Sequence, residues 1–131
     1  MSARALTTAA TVAGLALAGT LIAPAAAEAA APASGARLVL TVRAPHTTLH
    51  AVLMCEPAGG NHPDAAGACA ALADAKGDFK ALKAEDAMCT MEYAPATATA
   101  TGRWHGRAVH YRHTFGNACQ LHTATGVVFK F

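Results

Sequence analysis

Apolar and polar residues alternate along much of the chain, and the period of the alternation changes at a few sharp points. In "RLVLTVR", Arg37 to Arg43, Leu38, Leu40 and Val42 fall on one face, which predicts a strand. Ala44-Pro45 breaks it. "LHAVLMC", Leu49 to Cys55, predicts a second strand that pairs with the first as a hairpin. "EPAGGNHPDAAG", Glu56 to Gly67, is rich in Gly and Pro and predicts a loop. Ala68 to Lys76 predicts a helix with Leu72 inward, Asp64 upstream as its N-terminal cap and Gly77 as its stop. "DFKALK", Asp78 to Lys83, adds a helical turn in which Phe79 and Leu82 pack at i, i+3.

Period two returns in "ATATATGRW", Ala96 to Trp104, and more clearly in "GRAVHYRHTF", Gly106 to Phe115. In the latter, Val109, Tyr111, His113 and Phe115 share one face, and His110, Arg112 and Thr114 the other. His105-Gly106 is the turn between these strands. "GNAC" interrupts the pattern, and "GVVFKF", Gly126 to Phe131, predicts a terminal strand. About five strands and one or two helices, with strands grouped around a helical insert, point to an α+β fold with an antiparallel sheet.

Composition sets the N-terminus apart. Arg4 precedes the apolar run "LTTAATVAGLALAGTLIAP", and small-x-small sites follow in "AAAEAAAPA". This order is that of a secretory signal, residues 1–29, with the cut falling between 27 and 31. The run is Ala/Thr/Gly-rich and lacks a basic stop-transfer flank, which disfavours a membrane anchor. Residues 30–131 then form one domain of roughly 100 residues, beginning with a loose Pro/Ala/Ser/Gly tail. The net charge of +2 is scattered, with no Lys/Arg block, so neither nucleic acid nor an anionic membrane is an expected partner.

The four cysteines, Cys55, Cys69, Cys89 and Cys119, all follow the leader. An even number in an exported chain predicts two disulfides. Three pairings are open, and spacing favours Cys55–Cys69 with Cys89–Cys119. The chain has no C-x-x-C pair, which disfavours zinc.

Catalytic chemistry finds no foothold. Nucleophilic serine catalysis needs Ser, a His base and an orienting acid, but the domain's single serine, Ser34, lies in the loose tail. His105, His110 and His113 do not converge, since His110 and His113 point to opposite faces of one strand. Glu85-Asp86 are adjacent at a helix end, where solvent takes both. The chain is expected to be no enzyme and to need no metal or cofactor.

One stretch asks for a purpose outside the core: "MCTMEYAP", Met88 to Pro95. A buried strand would not hold Glu92, and a mere connection would use Gly, Asn or Ser. Cys89, two residues before Met91, clamps one side, and Pro95 with its fixed φ stiffens the other. An extended segment with an exposed hydrophobe near its middle is what a protease cleft binds, through main-chain hydrogen bonds and side-chain pockets. A loop already held in that shape avoids the ordering cost of a free peptide.

Seven motifs then fall in order: "LVLTV", "CEPAGGNHPDAAGAC", "GDFKAL", "EDAMCTMEYAP", "GRWHG", "YRHTFGNAC" and "VVFKF". In these the chain resembles the subtilisin inhibitors secreted by Streptomyces. The resemblance implies a five-stranded antiparallel sheet with two short helices packed on one face, two disulfides that match the sequential pairing, and a homodimer formed through the sheet. It implies a secreted inhibitor of extracellular subtilisin-like serine proteases, with its scissile bond at Met91–Glu92. Met91 then fills the enzyme's primary pocket, Cys89 and Thr90 lie along the unprimed side, and Tyr93 meets the primed side. Met88, Ala94 and Pro95 complete the loop, Asn117 braces it from behind, a segment near Met88 does likewise, and Trp104 belongs to the scaffold. Two residues depart from the pattern. Thr90 stands where proline is common, which restores backbone freedom. Glu92 stands where an apolar residue is usual, which costs affinity for subtilisin or favours a target with a basic primed side. The rival expectation is an extracellular binding module, or a transglutaminase- or metalloprotease-related substrate, on the same scaffold. Histidine-mediated metal binding is a weaker third.

Overall fold

The computed structural model describes residues 34–131 continuously, together with Gly14, Gly19 and Thr20. Apart from those three positions the signal sequence and its cut lie outside the described residues. Four long strands, β1 (Ala36–Ala44), β2 (Thr47–Cys55), β4 (Ala96–Trp104) and β5 (Arg107–Phe115), join a two-residue strand β3 (Gly59–Gly60). They form one antiparallel sheet in the order β3-β2-β1-β4-β5. Helices α1 (Ala65–Asp74) and α2 (Ala118–Thr125) cover one face, with 3₁₀ turns at Phe79–Ala81 and Gly126–Phe129. The expected α+β architecture and both sequential disulfides, Cys55–Cys69 and Cys89–Cys119, are present.

Alternation decides which side of the sheet is dry. Leu38, Leu40 and Val42 of β1, Ala51 and Leu53 of β2, Ala96, Ala98 and Ala100 of β4, and Val109 of β5 all point under the helices and are buried. Leu72, Phe79, Leu121, Val128 and Phe129 fill the space above them. The alanines of β4 make a shallow floor over which these larger side chains settle, the pairing of small with large that close packing requires.

Three expectations need correction. The Gly126–Phe131 segment is no strand. Gly126 leaves α2 with φ 60°, the chain turns at once, and Val128 and Phe129 enter the core. Its consecutive apolar residues lack the alternation of a half-buried strand, which is the physical reason the segment serves as a plug. The fifth strand is instead Gly59–Gly60, inside the predicted loop, paired with Leu53 and Met54. Helix α1 begins at Ala65, not Ala68, because Asp64 caps it: its Oδ1 accepts the Gly67 N–H at 2.9 Å.

Two local devices fix the cover. His62 is buried; its Nδ1 accepts the Asp64 N–H at 3.0 Å, so its proton sits on Nε2, which donates to the Val128 carbonyl at 3.0 Å. The ring thereby ties the C-terminal plug to the start of α1. Gly77 stops the first helical region with φ +74°, and a Cβ there would lie 2.3 Å from Trp104 Cδ1. Only glycine meets both demands.

Candidate functional site

The chain from Lys83 to Pro95 has no regular secondary structure, yet it is tied at both ends and in the middle. On the incoming leg the Glu85 N–H donates to the Thr123 carbonyl at 2.8 Å, and the Glu85 carboxylate meets Lys130 Nζ at 2.7 Å. Next comes the Cys89–Cys119 disulfide, with Cα atoms 5.7 Å apart. On the outgoing leg the Ala94 N–H donates to the Gly116 carbonyl at 2.9 Å. Each of these partners except Lys130 belongs to α2 or to the turn that opens it.

Asn117 holds the centre. Its side chain is 4% exposed. Nδ2 donates to the Thr90 carbonyl at 3.0 Å and to the Glu92 carbonyl at 2.9 Å. Its Oδ1 accepts the Gln120 N–H at 2.9 Å and caps α2, while Gln120 Oε1 reaches back to the Gly116 N–H at 3.1 Å. This reciprocal arrangement is close to a capping box. One amide therefore anchors the helix with its oxygen and two carbonyls of the loop with its nitrogen, which uses both of its N–H donors and one of the two lone pairs of its oxygen.

The two carbonyls flank Met91. Among the described residues Met91's own carbonyl makes no hydrogen bond. Its side chain is 89% exposed, Tyr93 is 85% exposed and Met88 is fully so. Thr90 and Glu92 also face solvent, and Glu92 has no ion pair among the described residues. Ala94 and Pro95 are half-buried where the loop rejoins β4. The disulfide and the Glu85 contacts hold the chain on either side of Met88, whose side chain stands free. Five clefts among the described residues, of about 290 to 460 Å³, are lined by none of residues 88–95. The loop is thus a convex element with an apolar tip, a shape that enters a cleft on another molecule.

The other residues singled out in the sequence do not join this site. Trp104 is buried at the far end of β4 and stacks on the His105 ring at 4.9 Å. His105 pairs with Glu56 at 2.9 Å, and His113 leans on Phe115 at 4.5 Å. Ser34 is exposed at the start of the described chain. Among the described residues no three His, Cys, Asp or Glu side chains gather as metal ligands. Four supports escaped the sequence reading: Gly116, Gln120, Thr123 and the Glu85–Lys130 pair. Gln120, three residues after Asn117, was the legible one, as a capping signal. The carbonyls of Gly116 and Thr123 leave no mark in the sequence.

His122, on α2 behind the loop, is half-buried. Burial lowers its pKa from the ordinary value, the neighbouring Lys130 charge adds to that, and a hydrogen bond to the Phe129 backbone and the Glu85 carboxylate partly offset both.

Comparison with known proteins connects this arrangement to a lineage. The subtilisin inhibitor-like family matches residues 34–117, from two residues before β1 through Asn117. The chain belongs to the subtilisin inhibitor-like family. A subtilase-type protease inhibitor of Streptomyces coelicolor is 46% identical over 132 residues, 95% of this chain and 91% of its own length. Subtilisin inhibitor-like protein 3 of the same species is 48% identical over 102 residues, 72% of this chain and 95% of its own. Streptomyces caespitosus sermetstatin, solved in complex with Bacillus licheniformis subtilisin, superposes with a TM-score of 0.62 at 32% identity, covering 75% of this chain and all of its own. The span matched by the subtilisin inhibitor-like family contains the whole loop, the Cys55–Cys69 bridge, Cys89 and the asparagine behind the loop, and stops two residues short of Cys119.

Proposed function

We propose that this chain is a serine protease inhibitor, not an enzyme, that occupies the active site of subtilisin-like proteases as a slowly cleaved pseudo-substrate. The observation that carries the reading is the pair of carbonyls at Thr90 and Glu92 held by the buried Asn117, with Met91 exposed between them. A segment fixed in this way has surrendered its conformational entropy before it binds. Cleavage at Met91–Glu92 leaves both new ends tethered, one through Cys89 to Cys119 and the other through Ala94 to Gly116. The ends stay in register, so resealing competes with release. Membership of the subtilisin inhibitor-like family and the likeness to sermetstatin support the same reading.

Met91 is the residue that enters the primary pocket, so the targets have roomy apolar pockets. Thr90 and Cys89 line the unprimed side, Tyr93 the primed side, and Met88 with Ala94 and Pro95 complete the contact loop. The protein is exported, a reading supported by the leader in the sequence and by two disulfides, which persist in oxidising compartments. No helix among the described residues is long and apolar enough to cross a membrane. It acts as a homodimer joined through the face of the sheet opposite the helices, supported by exposed apolar residues there, Val39 and Met54.

Exchange of the tip residue tests the position of the bond. Trypsin's acidic pocket takes Lys or Arg, so the wild-type protein inhibits trypsin poorly. Met91→Lys confers trypsin inhibition and weakens subtilisin inhibition at least about tenfold, or 1.4 kcal/mol. A Met91→Lys protein that is folded and still ignores trypsin places the contact residue elsewhere.

A further inference from the structure

Strand β5 ends the sheet, and its outer edge is open. It pairs only with β4. The turn His105-Gly106 joins the two strands with Trp104 opposite Arg107, and both turn residues have positive φ, 45° and 80°. Such a two-residue hairpin closes on a hydrogen-bonded pair, and bonded pairs then alternate. Arg107, Val109, Tyr111, His113 and Phe115 therefore spend their N–H and C=O groups on β4. Ala108, His110, Arg112 and Thr114 turn theirs outward, and among the described residues no other backbone segment takes them. The strand is nine residues long and holds no proline. A long edge of this kind is a template for pairing with another chain.

Two clefts run along that edge on the helical side. One, of about 310 Å³, is lined by Trp104, Val109 and Arg107, and the second, of about 400 Å³, by Arg112, His113 and Phe115. Phe79, Lys80 and Tyr111 line both, so the stacked Phe79–Tyr111 pair, with ring centroids 5.2 Å apart, is a wall the two clefts share. Val109 and His113, one beside each cleft, are roughly 13 Å apart along the strand. The surroundings are cationic. Lys80, Arg107 and Arg112 are exposed, and none makes an ion pair among the described residues. Asp78 is the one acid lining either cleft, and its Oδ1 is engaged as a cap by the Lys80 N–H at 2.9 Å.

We propose that the outer edge of β5 takes an acidic, extended segment of another protein as a sixth strand. The outward groups of Ala108, His110, Arg112 and Thr114 supply the main-chain hydrogen bonds, and the clefts supply pockets for alternate side chains, the two parts of strand addition. Side chains of the added strand beside Val109 and His113 fall on the helical side and enter the clefts, so these are apolar. Those beside His110 and Arg112 fall on the other side of the sheet, where Arg112 favours carboxylates. Lys80 and Arg107 favour negative charge over the segment as a whole. Charge also decides against a second copy of β5 as the occupant: with two arginines, two histidines and no acid, it lacks the complement.

Trp104 is the chain's single tryptophan and lines the first cleft, so its fluorescence reports on occupation there. The probe is an acetylated, amidated peptide of about nine residues, the length of β5, in which Glu and Leu alternate. Titrated into the mature, oxidised protein, it shifts the Trp104 emission and saturates at one peptide per chain. It binds at least about tenfold more tightly than a Lys/Leu peptide of the same pattern, and than a Glu/Leu peptide of the same composition with its leucines in one block. Binding weakens as sodium chloride rises from about 0.05 M to about 0.5 M. Ala108→Pro removes one outward N–H and no bond to β4, a change that an edge strand tolerates. Folded by circular dichroism, that variant binds the alternating acidic peptide at least about tenfold more weakly. The Lys80→Glu, Arg112→Glu double variant, altered only at exposed positions, reverses the preference toward the Lys/Leu peptide and decides the matter if Ala108→Pro fails to fold. Absence of saturable binding, equal affinity for the alternating and blocked peptides, full affinity in folded Ala108→Pro, or an unchanged preference in the charge-reversed protein overturns the proposal.

Discussion

Asn117 does two jobs with two atoms, and substitution separates them. Asn117→Ala removes the cap of α2 and both loop hydrogen bonds; it lowers stability by about 1–2 kcal/mol, the usual cost of a lost cap, with more lost if the carbonyls find no water. Asn117→Asp keeps an oxygen for the Gln120 N–H but replaces the donor to Thr90 and Glu92 with a second acceptor. Thermal unfolding therefore finds α2 capped in Asn117→Asp, while the rate at which subtilisin cuts the loop rises in both variants. Equal cutting rates in wild type and Asn117→Asp would remove the bracing role. At this scale legibility was uneven. Met91 and Cys89 stood out because an exposed hydrophobe beside a cysteine has no use in a core. The part played by Asn117 came through the resemblance, since one asparagine in "GNAC" shows its cap signal but not the distant carbonyls it reaches.

Helix α2 is the spine of the site. Asn117 at its start, Cys119 in its first turn and Thr123 near its end each hold a successive part of the loop. The bridge closes a 30-residue separation, worth roughly 3–4 kcal/mol in the loop-entropy account. The paired change Cys89→Ser, Cys119→Ser lowers stability by up to that amount and turns the protein from a slowly cut inhibitor into a substrate, read as loss of stoichiometric inhibition over time. Acid acts on the same helix through His122. Its folded pKa lies below the unfolded value of 6.5, chiefly from burial. The unfolded chain binds the proton more readily, so stability is unaffected above that pH and declines as pH falls from 6.5 toward the folded value. His122→Gln flattens that limb of the stability–pH curve, measured by denaturant unfolding; an unchanged slope would assign the acid sensitivity elsewhere. Strands β1, β2, β4 and β5 were legible because a half-buried sheet writes period two into its residues. Helix α2 was not, because its eight residues have little amphipathic contrast and lean on a cap and a disulfide. The two-glycine β3 and the Val128–Phe129 plug were hidden for a related reason: neither repeats long enough to show a period.

Across the whole molecule the sheet sorts what the sequence scatters. Among the described residues the acidic ones collect in the loops and on the helical side, the arginines of the long strands collect mainly on the open face, and the loop with Met91 exposed near its middle lies where α2 meets the start of β4. Net charge near zero concealed that separation, because alternation along four strands, and not proximity along the chain, brings the arginines together. The scaffold thus offers a rigid apolar tip for a protease and a separate flat face for a second copy. The most direct measurement is a titration of active subtilisin with the oxidised mature protein, followed by sequencing of whatever chain is slowly cut. Activity is expected to fall in proportion to inhibitor added, one active site per loop, with the single cut between Met91 and Glu92. Rapid degradation at many sites with protease activity intact, or stoichiometric inhibition with the cut elsewhere, would contradict it.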